Sequence, residues 1–131
     1  MSTSSMTASD LVAEARAKIR ETSPTGFHGA PGDAVVIDVR EPAEFETGHI
    51  PGSINIPRGV LEFQVDAHPA VANVSDPALS HKEQPLVVYC RTGGRSALAA
   101  LNLQRMGFTD VRSVAGGITE WANAGLPVTQ R

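Results

Sequence analysis

Apolar residues gather along the chain into short runs that are separated by polar and turn-forming stretches. The run "AVVIDV" at 34–39 is nearly continuous and rich in valine, which is typical of a parallel strand buried on both faces. "PLVVYC" at 85–90 and "DVRSV" at 110–114 predict two further strands. "IPGSINIP" at 50–57 predicts a turn followed by a short strand.

Helical signals alternate with these strands. Apolar residues spaced four apart between 11 and 19 share one helical face, and Ser9 or Asp10 can cap this helix, which we expect to run to about Arg20. The other predicted helices cover 42–48, 95–107 and 117–125. Strands that alternate with helices predict an open α/β fold with a parallel sheet.

Three stretches carry weaker signals. Residues 1–8 are small and polar and are expected to be a disordered N-terminus, which leaves 9–131 as a single domain with an N-terminal helix. "TSPTGFHGAPGD" at 22–33 is rich in turn residues and predicts a loop. Within 58–84, "GVLEFQV" is compatible with helix or strand, whereas "DPALSHKEQP" predicts a loop.

The composition is that of a globular protein and argues against several classes. The chain has 131 residues, of which 41% are hydrophobic and 19% charged. Its formal net charge is −3 and its Lys and Arg residues form no cluster, so no nucleic-acid partner is expected. No run approaches the roughly 18 apolar residues of a membrane span, so no membrane partner is expected. The first ten residues lack the basic and apolar regions of a secretory signal, which predicts a cytoplasmic location.

The single cysteine limits the chemistry of the chain. Cys90 has no second thiol for an internal disulfide or a multi-cysteine metal site. His28, His68 and His81 are scattered through loop-like segments, whereas zinc ligands converge. We therefore expect neither a metal nor an organic cofactor.

The stretch "VVYCRTGGRS" places Cys90 at the carboxyl end of a predicted strand, where ligand sites form in open α/β folds. Gly93 and Gly94 allow successive amides to point inward as an anion-binding nest, to which the following helix adds its positive N-terminal end. Helix N-termini and arginines favour the nucleophilic thiolate form of a cysteine, and Arg91 and Arg95 can attract an anionic substrate. A lone strand cysteine is more often an inert core residue. Because core packing does not explain two glycines and two arginines directly after it, we interpret Cys90 as a nucleophile.

Other polar residues have both a catalytic and a structural interpretation. Asp38 and Arg40 end a strand beside the one that carries Cys90. A buried ion pair or loop anchor is favoured for them over an active-site pair, because buried charges are usually paired, although Arg40 could still lend charge to the site. His49 is interpreted as part of a shaped turn rather than as a general base, since a thiol in a positive nest needs none.

Hydroxyl groups next to the cysteine have two possible uses. Thr92 and Ser96 can donate hydrogen bonds to a sulfur bound at Cys90 or cap the following helix, and capping is favoured for Ser96. The remaining residues are expected in structural positions, Trp121 in the core and Glu41, Glu44 and Glu46 on a solvated helical face.

Two motifs together resemble the rhodanese family. "CRTGGRS", preceded by "VVY" and followed by "ALAALNLQRMGFTDVRSVAGGITEW", is similar to the active-site half of a rhodanese domain, and "VVIDVREPAEFETGHIPGSINIP" is similar to the family's other motif. The resemblance covers roughly residues 34–127 in the family's order. It implies a three-layer α/β fold, an open parallel sheet with helices on both faces. The segment 22–33 departs from the pattern, because many family members have an additional helix and strand there.

The resemblance implies sulfur transfer. By position, Cys90 would take a sulfane sulfur from thiosulfate or a similar anionic donor, hold it as a persulfide, and pass it to cyanide or a thiol, which includes protein thiols. The loop that binds the substrate would consist of Arg91, Thr92, Gly93, Gly94, Arg95 and Ser96. Asp38 and Arg40 would support that loop.

The length of the loop separates this activity from its relatives. Cys90 to Arg95 is six residues counted inclusively, whereas related phosphatases and arsenate reductases carry one residue more, which suits a tetrahedral oxyanion. The shorter loop favours sulfur transfer. Two alternatives stay open: a non-catalytic persulfide carrier or interaction module, and, less favoured, a phosphatase or arsenate reductase of the same fold.

Overall fold

The computed structural model describes residues 5–66, 79 and 81–131. The strands are β1 (Arg20–Thr22), β2 (Val35–Asp38), β3 (Ile54–Asn55), β4 (Leu86–Tyr89) and β5 (Val111–Val114). The helices are α1 (Ala8–Arg16), α2 (Pro24–Gly29), α3 (Pro42–Thr47), α4 (Leu61–Val65), α5 (Gly94–Arg105) and α6 (Gly117–Asn123), with a 3₁₀ turn at Arg58–Val60. In this part of the chain the five strands form one parallel sheet in the order β1-β5-β4-β2-β3.

The central strand β4 explains why its sequence is continuously apolar. All four of its residues are buried, and they alternate between the two faces of the sheet. Leu86 and Val88 belong to the core on the side of α4 and α5, whereas Val87 and Tyr89 belong to the core on the side of α2 and α6. Because β4 lies between β5 and β2, its carboxyl end opens at the middle of the sheet edge.

Helices cover both faces of the sheet and produce the three layers that the sequence predicted. On one face, Leu61 and Val65 of α4 and Leu103 of α5 pack into the first core, and α1 packs against α5. On the other face, Phe27 of α2 and Trp121 of α6 complete the second core. The expectation that Trp121 is a core residue is confirmed, because it is buried against the sheet.

The N-terminal helix starts earlier than predicted. Its N-cap is Thr7, whose hydroxyl accepts a hydrogen bond from the amide of Asp10 at 3.1 Å, while the Asp10 carboxylate accepts one from the amide of Thr7 at 2.9 Å. The prediction of a cap at Ser9 or Asp10 was wrong because this reciprocal pair uses Asp10 as the third helical residue. The helix also ends before Arg20, which lies in β1. Residues 1–4 lie outside the described residues.

The segment 22–33 is not only a loop, contrary to the prediction, because it contains the end of β1 and the helix α2. Ser23 caps α2 by accepting a hydrogen bond from the amide of Gly26 at 3.0 Å, and Pro24 occupies the first turn. Phe27 then anchors the short helix in the second core. The additional helix and strand are therefore present in this chain as well.

The start of the segment 58–84 is helical. "GVLEFQV" forms the end of the 3₁₀ turn and α4, in which Leu61 and Val65 are buried. The prediction for 67–78 and 80 lies outside the described residues, and the division into a disordered 1–8 and a single domain 9–131 stays a prediction. Among the described residues, no helix is long and apolar enough to cross a membrane.

Candidate active site

Cys90 directly follows β4, and its side chain is 1% exposed. The Sγ atom accepts a hydrogen bond from the Gly93 amide at 3.1 Å and from the Ser96 amide at 3.4 Å. The Ser96 hydroxyl oxygen lies 3.6 Å from the same sulfur. Two amides therefore point at the sulfur, an arrangement that stabilises negative charge on it or on a group attached to it.

The loop turns into α5 at Gly93. This residue is the N-cap of α5 and has a φ of 110°, in the left-handed region that favours glycine. Ser96 is the third residue of the helix, so the prediction that it caps α5 was wrong. Its hydroxyl instead donates to the Gly93 carbonyl at 3.3 Å and lies 2.8 Å from the hydroxyl of Ser113 on β5. Thr92 is exposed at the bend.

Backbone amides at the N-terminus of α6 donate hydrogen bonds to the backbone of the cysteine loop. The Ile118 amide donates to the Cys90 carbonyl at 3.0 Å, and the Thr119 amide donates to the Arg91 carbonyl at 3.1 Å. Gly117 permits this approach, because a Cβ atom there would lie 2.5 Å from both carbonyl oxygens. Sequence reasoning missed this support, although the glycine pair in "VAGGITEW" was a signal of a tight turn before α6.

The two arginines of the loop have different environments. Arg95 donates to both carboxylate oxygens of Glu44, at 2.7 and 3.0 Å. The side chain of Arg91 is exposed and forms no hydrogen bond or ion pair with any described residue. The hydrogen bonds from Arg95 are the main reason that the pKa of Glu44 falls from 4.5 to about 2. The same bonds are the first cause of the raised pKa of Arg95. Glu44 is thus half-buried and paired with Arg95, whereas the sequence predicted only a solvated helical face.

A cavity of about 420 Å³ opens beside the loop. Its lining comes from the end of β2, α3, the cysteine loop and α6, and consists of Arg40, Ala43, Glu44, Thr47, Arg91, Ile118 and Thr119. The cavity therefore brings together Arg91, the Glu44 partner of Arg95, and the first residues of the helix that supports Cys90.

Asp38 and Arg40 form a buried ion pair. The Arg40 guanidinium donates to the Asp38 carboxylate at 2.7, 3.0 and 3.1 Å, and to the Gly48 carbonyl at 2.7 Å. Burial is the largest influence on the pKa of Arg40 and lowers it, but the hydrogen bonds to Asp38, the charge of Asp38 and the contact with Tyr89 together outweigh burial, so the pKa of Arg40 is raised. The pair thereby joins the end of β2 to the end of α3, which carries Glu44.

The neighbouring turn is held by His49 and Tyr89. The ring nitrogens of His49 lie 2.9 Å from the Phe45 carbonyl oxygen and 2.6 Å from the Arg131 oxygen. The Tyr89 hydroxyl accepts a hydrogen bond from the Ile50 amide at 3.1 Å. The structure thus places His49 in a shaped turn, as the sequence indicated, and both of its ring nitrogens face carbonyl groups rather than Cys90.

His28 packs edge-on against Trp121, with ring centroids 5.6 Å apart, and His68 lies outside the described residues. In the described ranges, no three His, Cys, Asp or Glu side chains are grouped as a metal ion would require.

Comparison with known proteins assigns the fold and the loop to one family. The profile of the rhodanese-like domain matches residues 24–124. The chain belongs to the rhodanese-like domain family. A sulfurtransferase of Allochromatium vinosum is 32% identical over 96 residues, which cover 73% of this chain and 78% of that protein. The thiosulfate sulfurtransferase GlpE of Pseudomonas syringae is 39% identical over 88 residues, which cover 67% and 72%.

Solved structures agree with this assignment. A protein of unknown function and possible tyrosine phosphatase from Rhodopseudomonas palustris superposes with a TM-score of 0.83 at 34% identity, covering 98% of both chains. The human single-domain sulfurtransferase TSTD1 superposes with a TM-score of 0.66 at 31% identity, covering 79% of this chain and 95% of that one. The expected membership of the rhodanese family is confirmed, and the chain is an enzyme of the rhodanese sulfurtransferase type.

Proposed function

We propose that this rhodanese-like domain moves a sulfane sulfur from thiosulfate or a similar anionic donor to cyanide or a thiol through a persulfide on Cys90. The observation that carries the proposal is the pair of amides, from Gly93 and Ser96, that donate to the Cys90 sulfur at the end of β4. These donors lie where the negative charge of a persulfide would need stabilisation.

The first half-reaction loads the cysteine. The Cys90 thiolate attacks the outer sulfur of thiosulfate, so that a new S–S bond forms at Sγ while the S–S bond of the donor breaks. Sulfite leaves with the electron pair of the broken bond, and Cys90 carries the persulfide anion. The amides of Gly93 and Ser96 are already directed at this sulfur, so little rearrangement is needed as the charge moves outward.

The second half-reaction regenerates the thiolate. Cyanide, or the thiolate of an acceptor, attacks the terminal sulfur of the persulfide and forms the new bond to it. The S–S bond to Cys90 breaks, and its electron pair returns to Sγ. The products are thiocyanate or a persulfide of the acceptor, and Cys90 is ready for another cycle. The step uses no metal or organic cofactor.

In this proposal the loop residues bind the donor and the persulfide, and the neighbouring ion pair supports them. The binding set is Arg91, Thr92, Gly93, Gly94, Arg95 and Ser96, with Asp38 and Arg40 as supporting residues. Arg91 is exposed and lines the adjacent cavity, which suits a cation that meets an incoming anion. A cytoplasmic location stays a prediction.

The name of the Rhodopseudomonas neighbour, a possible tyrosine phosphatase, makes phosphatase activity the alternative to test. The loop from Cys90 to Arg95 has six residues, one fewer than the loop that suits a tetrahedral phosphate. We therefore expect no turnover of an aryl phosphate under conditions in which sulfur transfer is fast.

The test is the mass of the intact protein after brief exposure to thiosulfate, with and without a cyanide chase. We expect a gain of one sulfur atom that cyanide removes with release of thiocyanate, and no gain in Cys90→Ser. A gain in Cys90→Ser would contradict the assignment of the nucleophile. An unloaded wild-type protein whose thiol still reacts with an alkylating reagent would exclude thiosulfate as the donor.

A further inference from the structure

A second serine lies behind the one that contacts the Cys90 sulfur. Ser113 is on β5 and faces the core that α5 covers, where Val88 and Val111 are its apolar neighbours on the sheet. Ser113 and Ser96 are both fully buried, and their hydroxyl oxygens lie 2.8 Å apart. A hydroxyl in apolar surroundings is unfavourable unless it forms a hydrogen bond, so packing alone does not account for a serine at this position.

The direction of the hydrogen bond between the two serines follows from their other partners. Ser96 Oγ is the single hydrogen-bond partner of the Ser113 hydroxyl among the described residues. If Ser96 donated its proton to Ser113, the buried Ser113 proton would have no acceptor in this part of the chain, which is costly. Ser113 therefore donates to Ser96, and Ser96 keeps its own proton for another acceptor.

The proton of Ser96 has two acceptors within reach. The Gly93 carbonyl oxygen lies 3.3 Å from Ser96 Oγ, and the Cys90 Sγ atom lies 3.6 Å from it. Rotation of the hydroxyl about its C–O bond moves the proton from one acceptor to the other. A thiolate is the stronger acceptor because it carries a full charge, and the hydrogen bond from Ser113 polarises the Ser96 hydroxyl further.

We infer that Ser113 is a positioning residue that directs the Ser96 hydroxyl to the Cys90 sulfur when this sulfur is a thiolate. The inference rests on the proposed sulfur transfer and adds a residue to it. In the persulfide the negative charge lies on the outer sulfur, and Sγ becomes a thiolate again only when an acceptor removes that outer sulfur. A stabilised thiolate is a better leaving group but a weaker nucleophile. Ser113 therefore accelerates discharge of the persulfide and not its loading.

Separate rates for the two half-reactions test this role. Excess thiosulfate loads the protein, cyanide discharges the isolated persulfide form, and the mass of the quenched protein follows both. In Ser113→Ala we expect discharge to slow about threefold, the effect on a thiolate leaving group of a change of about one pH unit in its ionisation. Loading at its alkaline plateau, where Cys90 is fully ionised, should be as fast as in the wild-type protein or faster.

Ser113→Thr and Ser113→Val are a matched pair, because threonine and valine have nearly the same shape and differ in the hydroxyl. The Thr variant should discharge at the wild-type rate and the Val variant at the rate of Ser113→Ala. In a Ser96→Ala background, Ser113→Ala should have no further effect, since the hydroxyl through which it acts is gone. Ser53→Ala is the control, because it removes another buried hydroxyl, 3.0 Å from that of Tyr89, and should leave the ratio of the two rates unchanged.

A second measurement does not depend on sulfur transfer. The rate of alkylation of Cys90 by iodoacetamide, followed against pH, reports the fraction of thiolate. Its rise should move upward by about one pH unit in the Ala and Val variants of Ser113, and should stay in place in the Thr variant. The charged groups around the site are the same in all of these proteins: Arg91, Arg95 with Glu44, and Asp38 with Arg40.

Equal slowing of both half-reactions in Ser113→Ala would mean that Ser113 only packs, and would overturn the inference. Equal discharge rates in the Thr and Val variants, an undiminished effect in the Ser96→Ala background, or an unmoved alkylation profile would overturn it as well. Failure of the proposed function is distinct: thiosulfate would then not load the wild-type protein, while the alkylation profile would still report the effect of Ser113.

Discussion

At the scale of single residues, the charged side chains near Cys90 are stabilised by ion-pair partners within hydrogen-bond distance rather than by solvent. Asp38 is fully buried and Arg40 is 5% exposed, so the charge of each is compensated by the other rather than by solvent. A buried pair of this kind contributes little compared with apolar packing, but it is costly to break, because the remaining charge has no solvent. Its position at the end of β2, with a hydrogen bond to the Gly48 carbonyl, also fixes the end of α3.

Substitution of Asp38 by Asn should therefore destabilise the protein much more than a surface change of the same kind. Arg40 would keep hydrogen-bond acceptors but lose the compensating charge, and we expect a loss of about 3 kcal/mol in the free energy of unfolding. Urea denaturation measures this loss. Asp33→Asn is the control, because Asp33 is exposed, and it should change the same quantity by less than about 0.5 kcal/mol. Equal losses in both variants would contradict the role of the pair.

At the scale of elements, α6 and the cysteine loop form one unit. The first amides of α6 bind the carbonyls of Cys90 and Arg91, which leaves the amides of Gly93 and Ser96 free to face the sulfur. The close approach depends on the absence of a side chain at Gly117, whose φ is 59°. The geometry around the sulfur is thus determined partly by a helix that begins 27 residues later in the chain.

The substitution Gly117→Ala tests this coupling. Its Cβ would lie 2.5 Å from the Cys90 carbonyl oxygen, so the loop or α6 must move. We expect a fall in kcat/KM for sulfur transfer of about a hundredfold, the cost of displacing reacting groups by about 1 Å. The steady-state rate with thiosulfate and cyanide measures it.

The control for this substitution is Gly125→Ala. Gly125 also has a positive φ, 77°, but a Cβ atom there would meet nothing within 4 Å. Strain of the backbone alone should cost about 1 kcal/mol of stability and leave the rate near the wild-type value. If Gly125→Ala reduced the rate as much as Gly117→Ala does, strain rather than contact with the loop would be the cause.

The elements that sequence reasoning identified are those with a local signal. β2 and β4 were predicted from continuous apolar runs, and α5 from a long apolar stretch between two glycines. β1 gave no such signal, because Arg20 and Glu21 are exposed and the strand exists only through its parallel pairing with β5. The helix α2 is six residues long and is anchored mainly by Phe27, too short for a helical period to be visible.

At the scale of the whole molecule, the site joins parts of the chain that sequence alone does not connect. The motif around Cys90 predicted the nucleophile and its glycine loop, because both lie within a few residues of each other. The partner of Arg95 could not be predicted in this way, since Glu44 lies 51 residues away and its spacing on α3 resembles that of a solvated residue. The parallel sheet brings the two together, because the ends of β2 and β4 open at the same edge.

This long-range pair predicts how stability depends on pH. The pKa of Glu44 is about 2 in the folded protein against an ordinary value of 4.5, chiefly because of the hydrogen bonds from Arg95. Above pH 4.5 the carboxylate is ionised in the folded and in the unfolded chain, and the pair stabilises fully. As the pH falls from 4.5 toward 2, the unfolded chain binds the proton first, so the stabilisation is lost progressively. Near pH 2 the folded protein is protonated at this residue as well.

The free energy of unfolding of wild type and Glu44→Gln should therefore differ most above pH 4.5 and converge as the pH approaches 2. Urea denaturation at several pH values between these limits measures the difference. Glu46→Gln, which lacks the partner, should follow the wild-type curve. If the difference in the free energy of unfolding between wild type and Glu44→Gln stays constant down to pH 2, the residue acts through the shape of α3 and not through its charge. If that difference grows on acidification, the sign of the predicted pH dependence is wrong. Convergence would instead show that the charge on Glu44 holds α3 to the cysteine loop through Arg95.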